Sequence, residues 1–254
     1  MRGTVQRAFD PEHFRDCALL VVERLAAYLG DHSVRGLVQQ EPADLRHKLQ
    51  ALMIGDEDSF DRERLKKIVD LFIASGIQVH SPGSMGRQFT GIVPLPAVLD
   101  MIGSIVNQPA SFYEAGQFPI IAERLMAAEL NQFIGYDPDR FAMVTTSGAS
   151  LGSLTAMLAA RNYAFPDFWQ RGCAAVRDGE IPAVMVSEDV HYSISRAVGI
   201  LGIGAEQVIK LPVDSARRIR VECIRPKLEE ARARGLKVFC LVATAGSTSV
   251  GAFD

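Results

Sequence analysis

The sequence predicts an α/β fold in which helices flank a mostly parallel sheet. After Asp137, apolar segments alternate with helical patterns along the chain. Each segment is apolar at successive positions, as a strand requires when helices cover both faces of its sheet. The predicted strands are Phe141–Thr145, Ala183–Ser187, Val208–Leu211 and Val238–Ala243, and the predicted helices start near Ser150, His191 and Pro226.

The first part of the chain has a different pattern. Residues 1–78 are predicted to form a helical N-terminal segment without strands, and residues 79–254 the first part of the α/β domain. We expect the amphipathic N-terminal helices to pack on another surface, such as that of a partner subunit. A loop from His80 to Gly91 follows, then two further helices, of which the second runs to about Ile134. The first of them should turn five apolar residues inward: Leu95, Val98, Leu99, Ile102 and Val106.

Composition excludes several classes of function. The chain has 254 residues, of which 48% are hydrophobic and 22% charged, and its net charge is −3. This balance does not suit a nucleic-acid groove or a membrane surface, and no apolar run is long enough to span a bilayer. The four scattered cysteines favour buried, reduced thiols in a cytoplasmic protein over disulfides or a metal site. The expected metal content is none.

The segment Thr145–Arg161, TTSGASLGSLTAMLAAR, predicts a phosphate site. An apolar strand pattern ends in small hydroxyl and glycine residues, and a helical pattern starts directly after them. Backbone N–H groups and the positive end of the helix dipole at such a turn attract a phosphate. Neither a P-loop nor a G-x-G-x-x-G motif is present.

Polar residues follow two further predicted strands. SEDVHYS, with His191, follows one of them, and TAGSTS, with Thr248, follows the last. In an open α/β sheet these exits meet at one edge, so we expect Gly148–Ser150, His191 and Thr248 to form one cleft. Each feature also has a purely structural interpretation, because helix N-termini favour serine and threonine and a lone histidine there is often a cap.

The motifs TTSGASLGSLTAMLAAR, SEDVHYSISRA and VATAGSTSVGAFD resemble, in this order and spacing, the group II pyridoxal-phosphate-dependent amino acid decarboxylases. HSPGSMGRQFTG and Glu123-Arg124-Leu125 match the same family upstream. The resemblance covers roughly residues 75–254. It implies the large domain of the fold-type-I pyridoxal-phosphate enzymes, here incomplete, and a carboxy-lyase that converts an L-amino acid to an amine and CO2.

The resemblance also implies roles for single residues. Gly148, Ala149 and Ser150 would bind the phosphate of pyridoxal 5'-phosphate, and Thr248 would approach the cofactor. His191 would stack on the pyridoxal ring and act as the catalytic candidate. The His80–Thr90 loop would form part of a substrate pocket that homodimers commonly share. Within it, His80, Ser84 and Arg87 are the substrate-binding candidates, and the small residues of the loop favour an acidic or diamino acid.

Two groups of the family pattern are absent from these 254 residues. One is the aspartate that pairs with the pyridine nitrogen; the other is the lysine, typically preceded by histidine, that bonds the cofactor. The chain alone is therefore predicted to be inactive, and a missing C-terminal half or a partner chain would supply both groups. Two alternatives stay open: a non-catalytic homologue that acts as an interaction or regulatory module, and another fold-type-I enzyme such as an aminotransferase or lyase.

Overall fold

The computed structural model describes residues 6–33, 36–53, 61–85, 88, 90–176 and 180–254. The chain divides into two compact units, residues 1–108 and residues 109–254. The division predicted between residues 78 and 79 concerns the start of the cofactor-binding domain, and it stays a prediction.

Helices dominate the first unit. They are α1 (Pro11–Leu29), α2 (Pro42–Met53), α3 (Arg62–Ile73) and α4 (Pro94–Val106). Asp10 and Asp61 begin α1 and α3, because their carboxylates accept hydrogen bonds from the N–H groups of Glu12 and Arg64. An ion pair between Arg24 and Asp70 joins these two helices.

The N-terminal segment contains one short pair of strands. Strand β1 (Leu37–Val38) pairs with β2 (Gly76–Ile77) in antiparallel fashion. The prediction of a segment without strands is therefore wrong at this point. Two residues are too few to create an alternating pattern, so the sequence offers no periodic signal for such a strand.

The predicted orientation of α4 is also wrong within this chain. Its five predicted inward residues are 50% to 68% exposed. The helix does form as expected, from Pro94 to Val106, and Asn107 ends it in the left-handed conformation. Periodicity identifies an apolar face, but it does not tell which chain segment covers that face.

Residues of α1, α3 and α4 line an apolar groove of about 710 Å³ in the first unit. We call it the α1–α4 groove. Its lining includes Val21, Leu25, Leu65, Val98 and Met101.

The second unit alternates helices and strands, as predicted. Its elements are α5 (Gln117–Ile134), α6 (Ala149–Ala164), α7 (Phe168–Arg171), β3 (Ile181–Ser187), α8 (Tyr192–Ile200), β4 (Val208–Leu211), α9 (Ile224–Ala233) and β5 (Leu236–Val242). The three strands form one parallel sheet in the order β4–β3–β5. Gly235 follows α9 with a φ of 74°, which confirms it as the residue that ends this helix.

The predicted strand Phe141–Thr145 does not form. These residues have no regular secondary structure and pair with no strand among the described residues. An apolar segment becomes a strand only when a neighbouring strand accepts its backbone hydrogen bonds. Here the N–H of Thr145 bonds instead to the carboxylate of Glu123.

The core of the second unit lies between β3 and the helices α6 and α8. Val184, Val186 and Val198 are fully buried and pack with Met157 and Ile194. Because β3 is the central strand, its residues are buried on both faces from Pro182 to Ser187. This core holds the N-terminal ends of the two helices at the candidate site.

The cysteines are less buried than predicted. Cys173 is exposed, and Cys17, Cys223 and Cys240 are half-buried free thiols. Short apolar stretches around the cysteines predict burial, but neighbouring residues cover these side chains only in part. Within the described ranges, no helix is both long enough and apolar enough to cross a lipid bilayer.

Candidate functional site

The start of α6 is the centre of the candidate site. Gly148 precedes the helix in an extended conformation, and its carbonyl accepts hydrogen bonds from Thr146 Oγ1 and from the N–H groups of Leu151 and Gly152. The N–H groups of Ala149 and Ser150 have no acceptor among the described residues, and both residues are exposed. A 16-residue helix thus presents two open N–H groups and a serine hydroxyl at its positive end.

Glu123 fixes the segment that leads into this turn. Its Oε1 accepts hydrogen bonds from Thr145 Oγ1 at 2.7 Å and from Thr145 N–H at 3.1 Å. These two bonds lower the pKa of the Glu123 carboxyl. The sequence motif contained Glu123, but the contact joins residues 22 positions apart, and no local pattern predicts it.

His191 lies at the start of α8, and the three residues Glu188–Val190 separate it from the end of β3. Its Nδ1 lies 2.8 Å from Ser193 Oγ and accepts a hydrogen bond from the N–H of Ser193 at 3.3 Å. The imidazole ring also contacts the ring of Tyr192, with the centroids 4.3 Å apart. The histidine therefore has the structural role of a helix cap, and its Nε2 has no partner among the described residues.

The helices α6 and α8 start at the same end of the unit. Near their other ends, the guanidinium of Arg161 donates to the carbonyl of Leu201. At the rise of an α-helix, Ala149 lies roughly 18 Å from Arg161 along α6, and His191 lies roughly 15 Å from Leu201 along α8. Both helices pack on the same core, so we expect the open N–H groups and the histidine to lie near the carboxyl edge of the sheet.

An ion-pair cluster holds the loop before His191. Arg217 bonds both carboxylate oxygens of Asp189 and lies 3.7 Å from the carboxylate of Glu188. These partners raise the pKa of Arg217. Arg217 has a φ of 62°, in the left-handed region that is uncommon for residues other than glycine. Sequence reasoning missed this cluster, because Arg217 follows Asp189 by 28 residues.

Thr248 lies in the loop after β5. It is exposed, and neighbouring bonds shape the loop: Ser247 Oγ accepts from the N–H of Ala252, and Asp254 accepts from the N–H groups of Thr244 and Ile219. The parallel pairing of β3 and β5 brings the exits that carry His191 and Thr248 to the same sheet edge.

The three substrate-binding candidates belong to the first unit. His80 is half-buried and meets the ring of Tyr28 edge-on, with the centroids 5.8 Å apart. It also lies so close to Gly91 that a Cβ there would meet its Nδ1 at 2.7 Å. Ser84 is half-buried in a turn in which its N–H bonds to Ser81, and Arg87 lies outside the described residues.

Fold and site together define an α/β protein with a parallel sheet and a helix start whose first N–H groups have no acceptor among the described residues. Residues 46–254 match the family model of the pyridoxal-dependent decarboxylase conserved domain, so the chain belongs to this family.

Curated relatives agree with this assignment. A glutamate decarboxylase-like protein of Gibberella zeae is 30% identical over 74% of this chain and 36% of its own length. The L-2,4-diaminobutyrate decarboxylase of Acinetobacter baumannii is 26% identical over 75% of this chain and 39% of its own length. The chain thus spans less than half the length of either relative.

Solved structures confirm the fold. A crystal structure of mouse CSAD superposes with a TM-score of 0.83 at 25% identity and covers 95% of this chain and 50% of that one. Oryza sativa TDC with PLP and tryptamine gives a TM-score of 0.83 at 18% identity, over 96% of this chain and 51% of that one. The chain has the fold of the fold-type-I pyridoxal-phosphate decarboxylases over about half of their length.

The donors at the start of α6 fit the phosphate of the family's cofactor. A phosphate monoester is an anion with several acceptor oxygens, and two adjacent backbone N–H groups with a serine hydroxyl match it without any cationic side chain. Within the described residues nothing else accepts a hydrogen bond from these groups. Pyridoxal 5'-phosphate is the cofactor of this family.

Proposed function

We propose that the protein to which this chain belongs decarboxylates an L-amino acid with pyridoxal 5'-phosphate and releases an amine and CO2. One observation carries the proposal beyond family membership: the N–H groups of Ala149 and Ser150 have no acceptor among the described residues, and the helix that they begin packs on the same core as the helix capped by His191. A phosphate held by α6 would place the rest of the cofactor in reach of the histidine at the same sheet edge.

The residues of this chain would bind and orient the cofactor. Ala149 and Ser150 would donate hydrogen bonds to the phosphate. Gly148 leaves the approach open, since no atom lies within 4 Å of a Cβ built on it. His191 would cover one face of the ring, and the hydroxyl of Thr248 would approach the cofactor. When bound, the pyridoxal ring supplies an electron sink for the carbanion that loss of CO2 leaves at Cα. The chain's own residues fix the geometry in which this occurs.

The proposal needs two groups from outside these residues. A lysine that bonds the cofactor and an aspartate that pairs with its ring nitrogen would come from the remainder of the protein or from a partner chain. We also propose a homodimer in the cytoplasm. The substrate-binding roles of His80, Ser84 and Arg87 stay part of this proposal.

For the substrate we propose an acidic or diamino acid. The loop residues Pro82, Gly83, Ser84 and Met85 leave little bulk against which an aromatic substrate could stack. The names of the glutamate decarboxylase-like and diaminobutyrate relatives agree with this choice. An aromatic-L-amino-acid decarboxylase of Bacillus atrophaeus is 30% identical over 65% of this chain. Aromatic amino acids are therefore the alternative substrate class against which the proposal is tested.

The test is a CO2-release assay on the complete protein with pyridoxal 5'-phosphate. The panel holds L-glutamate, L-aspartate, L-2,4-diaminobutyrate, L-tyrosine and L-tryptophan, and both CO2 and the amine are measured. We expect CO2 and amine in equal amounts from an acidic or diamino acid, and none from the 254-residue chain alone.

Other outcomes separate the alternatives. A keto acid without CO2 would indicate an aminotransferase and overturn the proposal. Stable association with an intact relative, without cofactor binding and without turnover, would indicate a regulatory module. CO2 from the aromatic amino acids alone would leave the reaction in place and overturn the substrate class.

A further inference from the structure

Ser193 holds one nitrogen of the His191 ring from two directions. Its hydroxyl oxygen lies 2.8 Å from His191 Nδ1, and its backbone N–H donates to the same nitrogen at 3.3 Å. The serine is only 6% exposed, and its Oγ has no other hydrogen-bond partner among the described residues. A buried hydroxyl with a single polar neighbour is committed to that neighbour.

The chemistry of these groups fixes the position of the ring proton. A neutral imidazole carries a proton on one nitrogen and accepts at the other. The backbone N–H of Ser193 can only donate, so Nδ1 has to accept, and a proton on Nδ1 would point at the amide hydrogen. The serine hydroxyl can donate or accept, and beside an accepting Nδ1 it donates. The ring proton therefore belongs on Nε2.

We propose that Ser193 is a positioning residue that holds neutral His191 as the Nε2–H tautomer. The inference rests on the proposed function, in which His191 faces the cofactor and substrate. Two donors on Nδ1 orient the ring, and the contact with Tyr192 supports that orientation. The exposed edge then presents an N–H donor to an acceptor such as the substrate carboxylate. With the proton on Nδ1, the same edge would present a lone pair and repel that carboxylate.

The test reads the tautomer directly. The full chain is labelled with ¹⁵N in its histidine rings, and long-range ¹H–¹⁵N spectra are recorded above the pH range in which histidines usually titrate. Loss of one signal in His191→Gln assigns the ring. We expect a pyridine-type Nδ1 and a pyrrole-type Nε2. Nδ1 in the pyrrole form would overturn the proposal without any Ser193 variant.

Two variants at Ser193 test whether its hydroxyl determines the tautomer of His191. Ser193→Ala removes the hydroxyl and keeps the backbone N–H, and should raise the ratio of Nδ1–H to Nε2–H by roughly 3- to 10-fold, the effect of one ordinary hydrogen bond. Ser193→Thr keeps a hydroxyl at this position and should show the same ratio of Nδ1–H to Nε2–H as the wild type. The other four histidines lie in the first unit, so an unchanged circular dichroism spectrum and urea unfolding midpoint verify the fold of the second unit. An unchanged ratio in folded Ser193→Ala overturns the proposal.

This measurement is independent of turnover. One outcome is the Ser193-dependent Nε2–H tautomer in a protein that releases no CO2. That result would overturn the proposed function and leave the positioning role of Ser193 in place. Decarboxylation by a protein whose His191 carries its proton on Nδ1 would overturn the positioning role of Ser193 and leave the proposed function in place.

Discussion

Glu123 accepts two hydrogen bonds from Thr145 through a single oxygen, one from the hydroxyl and one from the backbone N–H. The bonds connect α5 to the segment that leads into the start of α6. Since Phe141–Thr145 pairs with no described strand, this carboxylate takes over a contact that a sheet neighbour would otherwise make. The turn proposed to bind phosphate is thus attached to a helix.

Glu123→Gln should destabilise the second unit in a pH-dependent way. The two bonds lower the pKa of Glu123 in the folded chain, so its contribution is present above the ordinary glutamate pKa of about 4.3 and is lost as the pH falls through the lowered value. Urea unfolding at pH 7 should show a lower midpoint for the variant, and the difference should shrink at acidic pH.

Glu129→Gln is the matched control, because Glu129 lies exposed on the same helix and makes no hydrogen bond among the described residues. Its unfolding midpoint should follow the wild type at both pH values. A difference for Glu123→Gln that is as large in acid as at pH 7 would contradict the carboxylate's role.

Ala149→Pro should weaken phosphate binding and leave α6 intact. Proline at the first helical position removes one open N–H and suits the helix geometry, and the extended Gly148 before it is compatible with proline. Loss of one hydrogen bond to a charged group should reduce affinity by about 10-fold or more. Calorimetry with pyridoxamine 5'-phosphate measures this, since its amine does not condense with surface lysines.

Ala149→Gly retains the N–H and should bind like the wild type. Pyridoxamine without phosphate should bind weakly to all three proteins. Equal affinity of the proline and glycine variants for pyridoxamine 5'-phosphate would show that the phosphate binds elsewhere.

Arg217→Ala should lower the melting temperature in a salt-dependent way. The variant loses the bonds to Asp189 and Glu188, and keeps a residue with a side chain at a φ of 62°. These groups are partly exposed, so 1 M NaCl should screen the pairs and reduce the difference between variant and wild type.

Arg217→Gly separates the ion pairs from the backbone. Glycine adopts positive φ readily, so this variant should melt above Arg217→Ala although both lack the guanidinium. If the two variants melt at the same temperature in low and in high salt, backbone strain at this position is negligible.

Cys173 should react with a thiol reagent well before Cys240. Cys173 is exposed, whereas burial raises the pKa of the Cys240 thiol and so lowers its thiolate fraction at a given pH. Mass spectrometry after brief alkylation at pH 8 should find the label on Cys173. Faster labelling of Cys240 in the folded chain would contradict its burial.

The sequence predicted the elements whose patterns are local. Val208–Leu211 formed as expected, β3 and β5 formed within two residues of their predicted limits, and α6 and α8 start within one residue of Ser150 and His191. Features that need a partner distant in sequence were not predictable. An apolar pattern does not reveal which strand will pair with Phe141–Thr145 or what covers α4.

The candidate site, too, was predictable from the sequence only in part. The helix start at Ala149 and Ser150 and the sheet-edge position of His191 follow from the order of strands and helices. The contacts that orient these residues depend on side-chain conformations and on segments far along the chain. The contacts of Ser193, Glu123 and Arg217 therefore came only from the structure.

The α1–α4 groove has a consequence for how this chain is handled in the laboratory. An open apolar groove of about 710 Å³ can take up detergent tails or the dye 8-anilinonaphthalene-1-sulfonate while the backbone is fully folded. Dye fluorescence is a customary marker of molten globules. For this chain a bright dye signal would therefore not by itself indicate loss of native packing, and near-ultraviolet circular dichroism is the sounder criterion.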